Sequence, residues 1–423
     1  MESKGFEYAN KVSKKDFTRK GKIRYTDIIL FELGTLKKTL VSEIEDFVNK
    51  FDGKKETFTK QSFSEARQKV SPEAFKELNE DVIVDGTYEG EHKTYKGYTL
   101  LGIDGSTIQL PNVKTLKEEY GSYKNKGSNV EVAIARIGII HDLLNEITLA
   151  GKLTKYSIGE RQTAEELIAV ATRIEKPLIL MDRGYPSVRL IRLLETFKIK
   201  YLMRIPIRFI QETNRFIEGK GIDEYIEINI NKTRKRCGRI KGITGEFKLK
   251  VRCIKIEVED GVTEYLITNL SKEEVSHEEI GELYQKRWGI ETNYNIIKNV
   301  LELGNFTGET KIAVEQDFYA TIYLNNVANI AINEAQNKYD KEQKKLKTNK
   351  KYEYKINRSV AVSHLKKQLI TIYITDNKRK RNKILKDIIE QIQRSVIPKR
   401  ENRKFPRNGH ISKFGGRTHK RVL

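Results

Sequence analysis

The sequence predicts an α/β core interrupted by a β-rich insertion, with a helical region before it and a basic helical region after it. Three observations predict this. Two continuous apolar runs, one from Tyr98 and one over Pro177–Met181, end at acidic residues, Asp104 and Asp182. Short apolar runs bounded by turn residues read as buried strands, and α/β sites tend to lie where such strands stop. The stretch Tyr284–Lys298 (YQKRWGIETNYNIIK) repeats instead at the period of a helix. Between the second acid and that helix, the segments YIEINI, FKLKVRCIKIEV and EYLITNL are rich in Ile, Val and Tyr and alternate in part, as strands do.

The chain of 423 residues is long enough for two or three domains. No apolar run approaches the roughly 20 residues of a membrane span. The opening residues MESKGFEYANKVSKKDF have no apolar centre of the kind a signal peptide needs. Cys237 and Cys253 are the only cysteines, too few for a thiolate zinc cluster. A reducing cytoplasm, with no membrane partner, is the expected location. The formal charge is +22, and residues 341–423 hold 26 Lys/Arg against 6 Asp/Glu, an excess of 20. A basic surface of this kind meets phosphate backbones, which would place the chain on the nucleoid; a solubilising tail is the plain alternative.

Residues 1–95 read as a helical region with a candidate DNA contact. Helical periodicity begins near Thr26-Asp27, with Gly34 as a weak point. A short helix is expected from about Thr59 to Val70, then a break at Ser71-Pro72 and another helix. Its Thr59-Lys60-Gln61-Ser62 start, with Arg67 and Lys69 behind, suits a helix end that touches DNA; packing within a bundle is the alternative. Residues 96–335 read as an α/β core with candidate site carboxylates. Its first strand ends at Asp104 before a Gly105-Ser106 turn, where an Asp bonding its own backbone is an equal reading. Two strands joined around Asp142–Asn145 follow, then a helix with Glu160 and Glu165 near its start. The strand Pro177–Met181 ends at Asp182, and IKYLMRIPI forms an edge strand. The β insertion spans about 209–269, with a strongly basic loop, Asn231–Lys241. Residues 336–423 read as a charged linker, two helical stretches and a basic arm.

On the helix that ends the core, Tyr284, Arg287, Glu291 and Lys298 fall within about a 60° arc. Leu283, Ile290, Ile297 and Leu301 form an adjacent apolar stripe. Ser276 and Glu279 can form a capping box that starts the helix. A solvated face with ordinary ion pairs would explain the charges alone. The full pattern Tyr-x2-Arg-x3-Glu-x6-Lys, with Trp288 after the Arg and Ile290 before the Glu, resembles the signature of the IS4 family of bacterial transposases. Asp182-Arg183-Gly184-Tyr185 after an apolar strand looks like the second acidic motif of that family. The resemblance extends from about Asp104 to Gln316, where Gln316-Asp317 also looks familiar. It implies a ribonuclease-H-like core with Asp104, Asp182 and Glu291 as a catalytic and metal-binding triad. It also implies that Arg183, Tyr284, Arg287, Trp288 and Lys298 contact DNA. Trp288 could stack on a base or pack in the core; both fit its helix angle.

Three converging carboxylates can hold two Mg²⁺ or Mn²⁺ ions about 3.5–4 Å apart and support in-line phosphoryl transfer without a protein nucleophile. The chain has no zinc-like His spacing, no Gly-x-Ser-x-Gly and no Gly-x4-Gly-Lys, so neither a nucleophile elbow nor ATP use is indicated. The expected partners are the double-stranded terminal inverted repeats of an insertion sequence, target DNA, and further copies of the chain in a synaptic complex. Two other readings use the same residues: a DNA-binding descendant that no longer cleaves, and a metal-dependent nuclease on the same core.

Overall fold

The computed structural model describes the chain except for residues 2, 20, 36–37, 52, 54, 125–129, 230–247, 259–260, 347–351 and 400–423. The basic loop at 231–241 and most of the terminal arm therefore lie outside the described residues. The chain divides into two compact units. One comprises Val84–Ile108 and Ala135–Tyr294; the other comprises Met1–Ile83, Gln109–Ile134 and the described part of Asn295–Leu423. Among the described residues, no helix is long and apolar enough to cross a membrane.

The first unit is built on a mixed sheet. In chain order its elements are β1 (Thr99–Gln109), β2 (Glu131–Asp142, entering from the other unit), β3 (Ile147–Lys155), α1 (Glu160–Ala171), β4 (Pro177–Met181), α2 (Val188–Thr196) and β5 (Lys200–Arg204). Then come α3 (Gln211–Glu218), β6 (Asp223–Asn229), β7 (Lys248–Val258), β8 (Val262–Thr268), α4 (His277–Gln285) and α5 (Trp288–Asn295). The strand order is β3-β2-β1-β4-β5-β8-β7-β6. β1, β4 and β5 run parallel. β2 and β3 form an antiparallel hairpin, and β8 joins β5 antiparallel. The Asp142 carboxylate closes the hairpin turn by accepting from the Leu144 and Asn145 amides, each at 2.9 Å. Leu100, Leu178, Leu180 and Leu202 of the sheet pack with Ile280, Leu283 and Tyr284 of α4, so the apolar edge of that helix anchors it.

Two expectations change. β1 does not stop at Asp104 but runs on to Gln109, so no turn forms at Gly105-Ser106. Asp104 is a mid-strand residue whose neighbours Gly105, Ser106 and Thr107 are half-buried and still extended. Lys200–Arg204 is not an edge strand either: Leu202 pairs with Leu180 on one side and Thr268 on the other. Tyr201, Leu202 and Met203 are fully buried, and a buried strand needs hydrogen-bond partners along both edges. β8 supplies the second edge, and β7 and β6 extend the same sheet.

The second unit holds the helices Tyr25–Gly34, Leu40–Asn49 and Lys60–Arg67, the 36-residue helix Lys311–Leu346, and the helices Arg358–Ile374 and Lys378–Arg394. Thr59 caps its helix by accepting from the Ser62 amide. Arg67 at the other end does not face DNA; it is 4 % exposed. Its guanidinium donates to Gln316 Oε1 at 2.7 Å, Thr307 Oγ1 at 2.7 Å, the Ala313 carbonyl at 3.0 Å and Asp317 Oδ1 at 3.2 Å. Glu32 Oε1 lies 3.0 Å from its Nε. Burying a guanidinium requires this many acceptors, and Gln316 and Asp317 provide two of them. Arg67→Ala is expected to cost about 3–5 kcal/mol of stability, because it leaves Glu32 and Asp317 buried with their counter-charge gone. Urea denaturation checks this; an unchanged midpoint would remove the network from the account.

Candidate active site

Asp104, Asp182, Arg183, Tyr284, Arg287, Trp288 and Glu291 all belong to the first unit; Lys298 belongs to the second. Glycines set how closely the elements approach. Gly102 and Asp104 are two apart on β1, so they project from the same face of the sheet. A Cβ on Gly102 would stand 3.4 Å from Ile290 Cβ and 3.1 Å from Leu143 Cδ2. One on Gly289 would stand 3.2 Å from the same Leu143 atom. The absent side chains let α5 lie directly on β1, and Glu291 follows Ile290 on that helix. The Tyr294 hydroxyl, three residues on, donates to the Asp104 carbonyl at 2.7 Å and fixes the approach. Asp182 stands where β4 ends, immediately before the Arg183–Gly184 turn.

The expected single helix from Tyr284 to Lys298 is three pieces. The capping box forms as expected: Ser276 Oγ accepts from the Glu279 amide, and Glu279 accepts from the Ser276 amide. The α-helix then breaks at Lys286-Arg287, resumes as α5, and widens to a π-helix over Ile296–Val300. Docking α5 over Gly102 and Leu143 sets its start, and a wider turn changes the angular position of the residues beyond it. The common arc therefore holds for Arg287 and Glu291 and does not extend by periodicity to Lys298.

Arg287 is the centre of the charge arrangement. Its Nη1 donates to Glu291 Oε1 at 2.9 Å. Its Cζ lies 5.6 Å from the Tyr284 ring centre and 5.2 Å from that of Trp288. Burial works against its charge, but Tyr284, Glu291 and Asp182 outweigh that and hold its pKa above the ordinary value. Burial pushes the Asp104 carboxyl up to about 6; the Gly105 amide and Arg287 pull it down, and Glu291 and Glu160 push it further up. Asp104 and Asp182 are thus both within electrostatic reach of Arg287, which touches Glu291. Tyr284 is 5 % exposed and Arg287 6 %. Arg183 is exposed, and Trp288 is 51 % exposed with Arg287 against its ring, so core packing is not its role.

Among the described residues, no three His, Cys, Asp or Glu side chains stand close enough to hold a metal ion. The donors nevertheless suit a hard divalent cation. They are carboxylate oxygens, and burial, which raises the Asp104 carboxyl to about 6, is a cost that a bound cation would offset. Two buried donors, Tyr284 Oη and Arg287 Nε, have no hydrogen-bond partner, so the site has capacity for further acceptor oxygens.

Four residues here had been given no role of their own by sequence reasoning. Tyr185 Oη lies 3.5 Å from Asp104 Oδ1, and burial beside Asp104 holds that phenol well above its ordinary pKa. Tyr294 braces β1, as above. Glu160 and Arg136 form an ion pair at 2.6 Å close to Asp104. Spacing could have found Tyr294, one helical turn after Glu291; nothing local links Arg136 to Glu160.

Residues 95–326 match the model of a family described as the transposase DDE domain. The transposase InsG of insertion element IS4, from Escherichia coli K12, is 22 % identical over 267 residues, which cover 62 % of this chain and 59 % of that protein. The chain thus spans about six-tenths of the length of this curated relative. A piggyBac transposase synaptic complex with hairpin DNA aligns over 86 % of this chain and 74 % of that one, at 8 % identity and a TM-score of 0.40. A Mos1 transposase paired-end complex aligns over 45 % of this chain and 61 % of that one, at 12 % identity and a TM-score of 0.18. Both structural likenesses are too distant to carry any residue or role across.

Proposed function

The chain belongs to the family of transposases with a DDE domain, and from that premise we propose that it is a cut-and-paste transposase of an IS4-like insertion sequence, acting on DNA in the bacterial cytoplasm. It binds the terminal inverted repeats of its element, cleaves there and joins the freed 3′-hydroxyls to target DNA. Copies of the chain act as a dimer or larger synaptic assembly. The core is ribonuclease-H-like; the strand order β3-β2-β1-β4-β5, with the last three parallel, supports this reading.

The observation that carries the proposal is geometric: the helix with Glu291 packs on the Asp104 strand at Gly102 and is pinned there by the Tyr294 hydroxyl, Arg287 is bonded to Glu291, and Asp182 ends the strand paired beside β1. Asp104, Asp182 and Glu291 would hold two Mg²⁺ or Mn²⁺ ions. Bound there, these ions supply Lewis-acid polarisation of the scissile phosphate and a lowered pKa for the attacking hydroxyl or water. The protein groups do the rest. Arg287 presents a planar fork, with Nη1 on Glu291 and a buried, unpartnered Nε that a phosphate oxygen reaching the site would satisfy. The Tyr284 hydroxyl offers a second donor. Arg183 and Trp288 are both exposed and would meet backbone and base, and Lys298 would contact DNA as a point charge. A synthetic duplex carrying the sequence that flanks the gene tests the proposal. Mg²⁺-dependent release of a 3′-hydroxyl at the repeat boundary is expected; binding without cleavage across a range of Mg²⁺ and Mn²⁺ would reject it.

With an excess of 20 positive charges over residues 341–423, duplex affinity should fall steeply as salt rises, through counterion release. Deleting residues 400–423 leaves intact the pairing of Val396–Pro398 with Tyr354–Ile356. That deletion should flatten the salt slope and weaken random duplex binding more than end discrimination. An unchanged slope would mean that the arm does not touch DNA.

A further inference from the structure

The first turn of α1 touches the backbone beside both aspartates. Gly105 neighbours Asp104 on β1 and so projects from the opposite face of the sheet to α5. A Cβ there would stand 2.8 Å from Glu160 Cγ and 3.3 Å from Tyr185 Oη. A Cβ on Gly184, in the turn after Asp182, would stand 3.9 Å from Glu160 Oε2. The next residue, Arg161, donates from Nε to the Gly184 carbonyl at 2.8 Å. The other Glu160 oxygen accepts from Arg136 Nη1 of β2 at 2.6 Å. α1 reaches this position because β2 carries Gly138, where a Cβ would stand 2.5 Å from Thr163 Cγ2. Glu160 is thus packed between the strand that carries Asp104 and the turn after Asp182, and is tied at its far side to a third strand.

We propose that Glu160, held by Arg136, is a positioning residue that fixes the Asp104 strand and the Asp182–Gly184 turn relative to each other. This rests on the reading of Asp104 and Asp182 as metal ligands. Glu160 is not itself a ligand: one oxygen is committed to Arg136, and it packs at Gly105, next to Asp104, and at Gly184, two residues after Asp182. Its size fills the space left at Gly105, and its charge locks it to β2.

Titrating the full-length protein with Mn²⁺, and following free Mn²⁺ by electron paramagnetic resonance, tests this without turnover. The parent should bind Mn²⁺, and Asp104→Asn should lose that binding. Glu160→Gln keeps the size but breaks the ion pair; it should weaken Mn²⁺ binding roughly 10-fold, as loss of a supporting partner does. Glu160→Ala should weaken it further. Gly105→Ala should also weaken it, because Glu160 Cγ must move, but should add nothing in a Glu160→Ala background. Arg136→Lys should restore part of what Arg136→Gln loses. Melting temperature is recorded for each variant, so that an affinity change in a folded protein is separated from unfolding. If Glu160→Gln and Gly105→Ala, both folded, bind Mn²⁺ as the parent does, the positioning role is overturned. If Asp104→Asn binds as the parent does, the metal reading fails first and the inference falls with it.

Discussion

Asp104→Asn is expected to abolish strand cleavage and, at the same time, to stabilise the metal-free protein at neutral pH. The first effect comes from removing a metal ligand. It should lower the rate on the order of 10³-fold or more, about 4 kcal/mol of transition-state stabilisation. Asp182→Asn and Glu291→Gln should do the same, with binding to the element end largely intact. The second effect comes from burial, which lifts the Asp104 carboxyl from 3.8 to about 6. Below about pH 3 the group is protonated in both folded and unfolded chains, and Asp and Asn should differ little. As pH rises to 6 the unfolded chain loses its proton first, so stability falls. Above that the folded state carries the whole cost, at most about 3 kcal/mol. Asn removes it. Chemical denaturation of both proteins at pH 3 and pH 7.5, without divalent ions, should show the variant gaining only at the higher pH. Equal stability at pH 7.5 would mean that Asp104 is already compensated, and the argument for a cation there would weaken.

Arg287→Ala has the next largest expected effect. The side chain is buried, bonded to Glu291, and pulls the Asp104 pKa down. Its loss should cut cleavage of inverted-repeat DNA by roughly 10²–10³-fold, the scale for removing a preorganised charged donor. Arg287→Lys should recover only part, since a point charge cannot replace a planar fork. Two roles are separable by pH. Acting only through Asp104, Arg287 would matter near pH 6 and hardly at pH 8, where Asp104 is ionised in either protein. Gripping a phosphate, it matters at both. The loss should therefore persist at pH 8, with Mg²⁺ affinity there, measured by calorimetry, near that of the parent. Recovery of the parent rate at pH 8 would leave the helix as a support for Glu291 alone.

Local features were legible in the sequence. Ser276 and Glu279 are three apart, and their capping box forms as expected. The strand before Asp182 lies where its apolar run lies. Periodicity could not see that Gly289 and Gly102 let α5 sit on Leu143 and β1, which sets the break at Lys286-Arg287. Hydropathy ended β1 at Asp104 because Gly105–Thr107 are not apolar, yet pairing carries the strand to Gln109. The largest misreading concerned Arg67. A cation one or two turns behind a capped helix start reads as a DNA contact, and nothing nearby shows that Gln316 and Asp317, about 250 positions away, accept its hydrogen bonds. Glu160 escaped for the same reason, since its partner Arg136 sits on another strand.

A marker gene flanked by the inverted repeats that border this gene, placed on a donor plasmid beside a source of the protein, tests the central claim most directly. The account predicts that the marker leaves the donor and appears at new sites, and that Glu291→Gln stops both while the purified variant still binds the repeats. Excised ends that never join target DNA would make the protein a nuclease. Repeats bound but never cut by the parent protein would make it a DNA-binding descendant; either result would contradict the account.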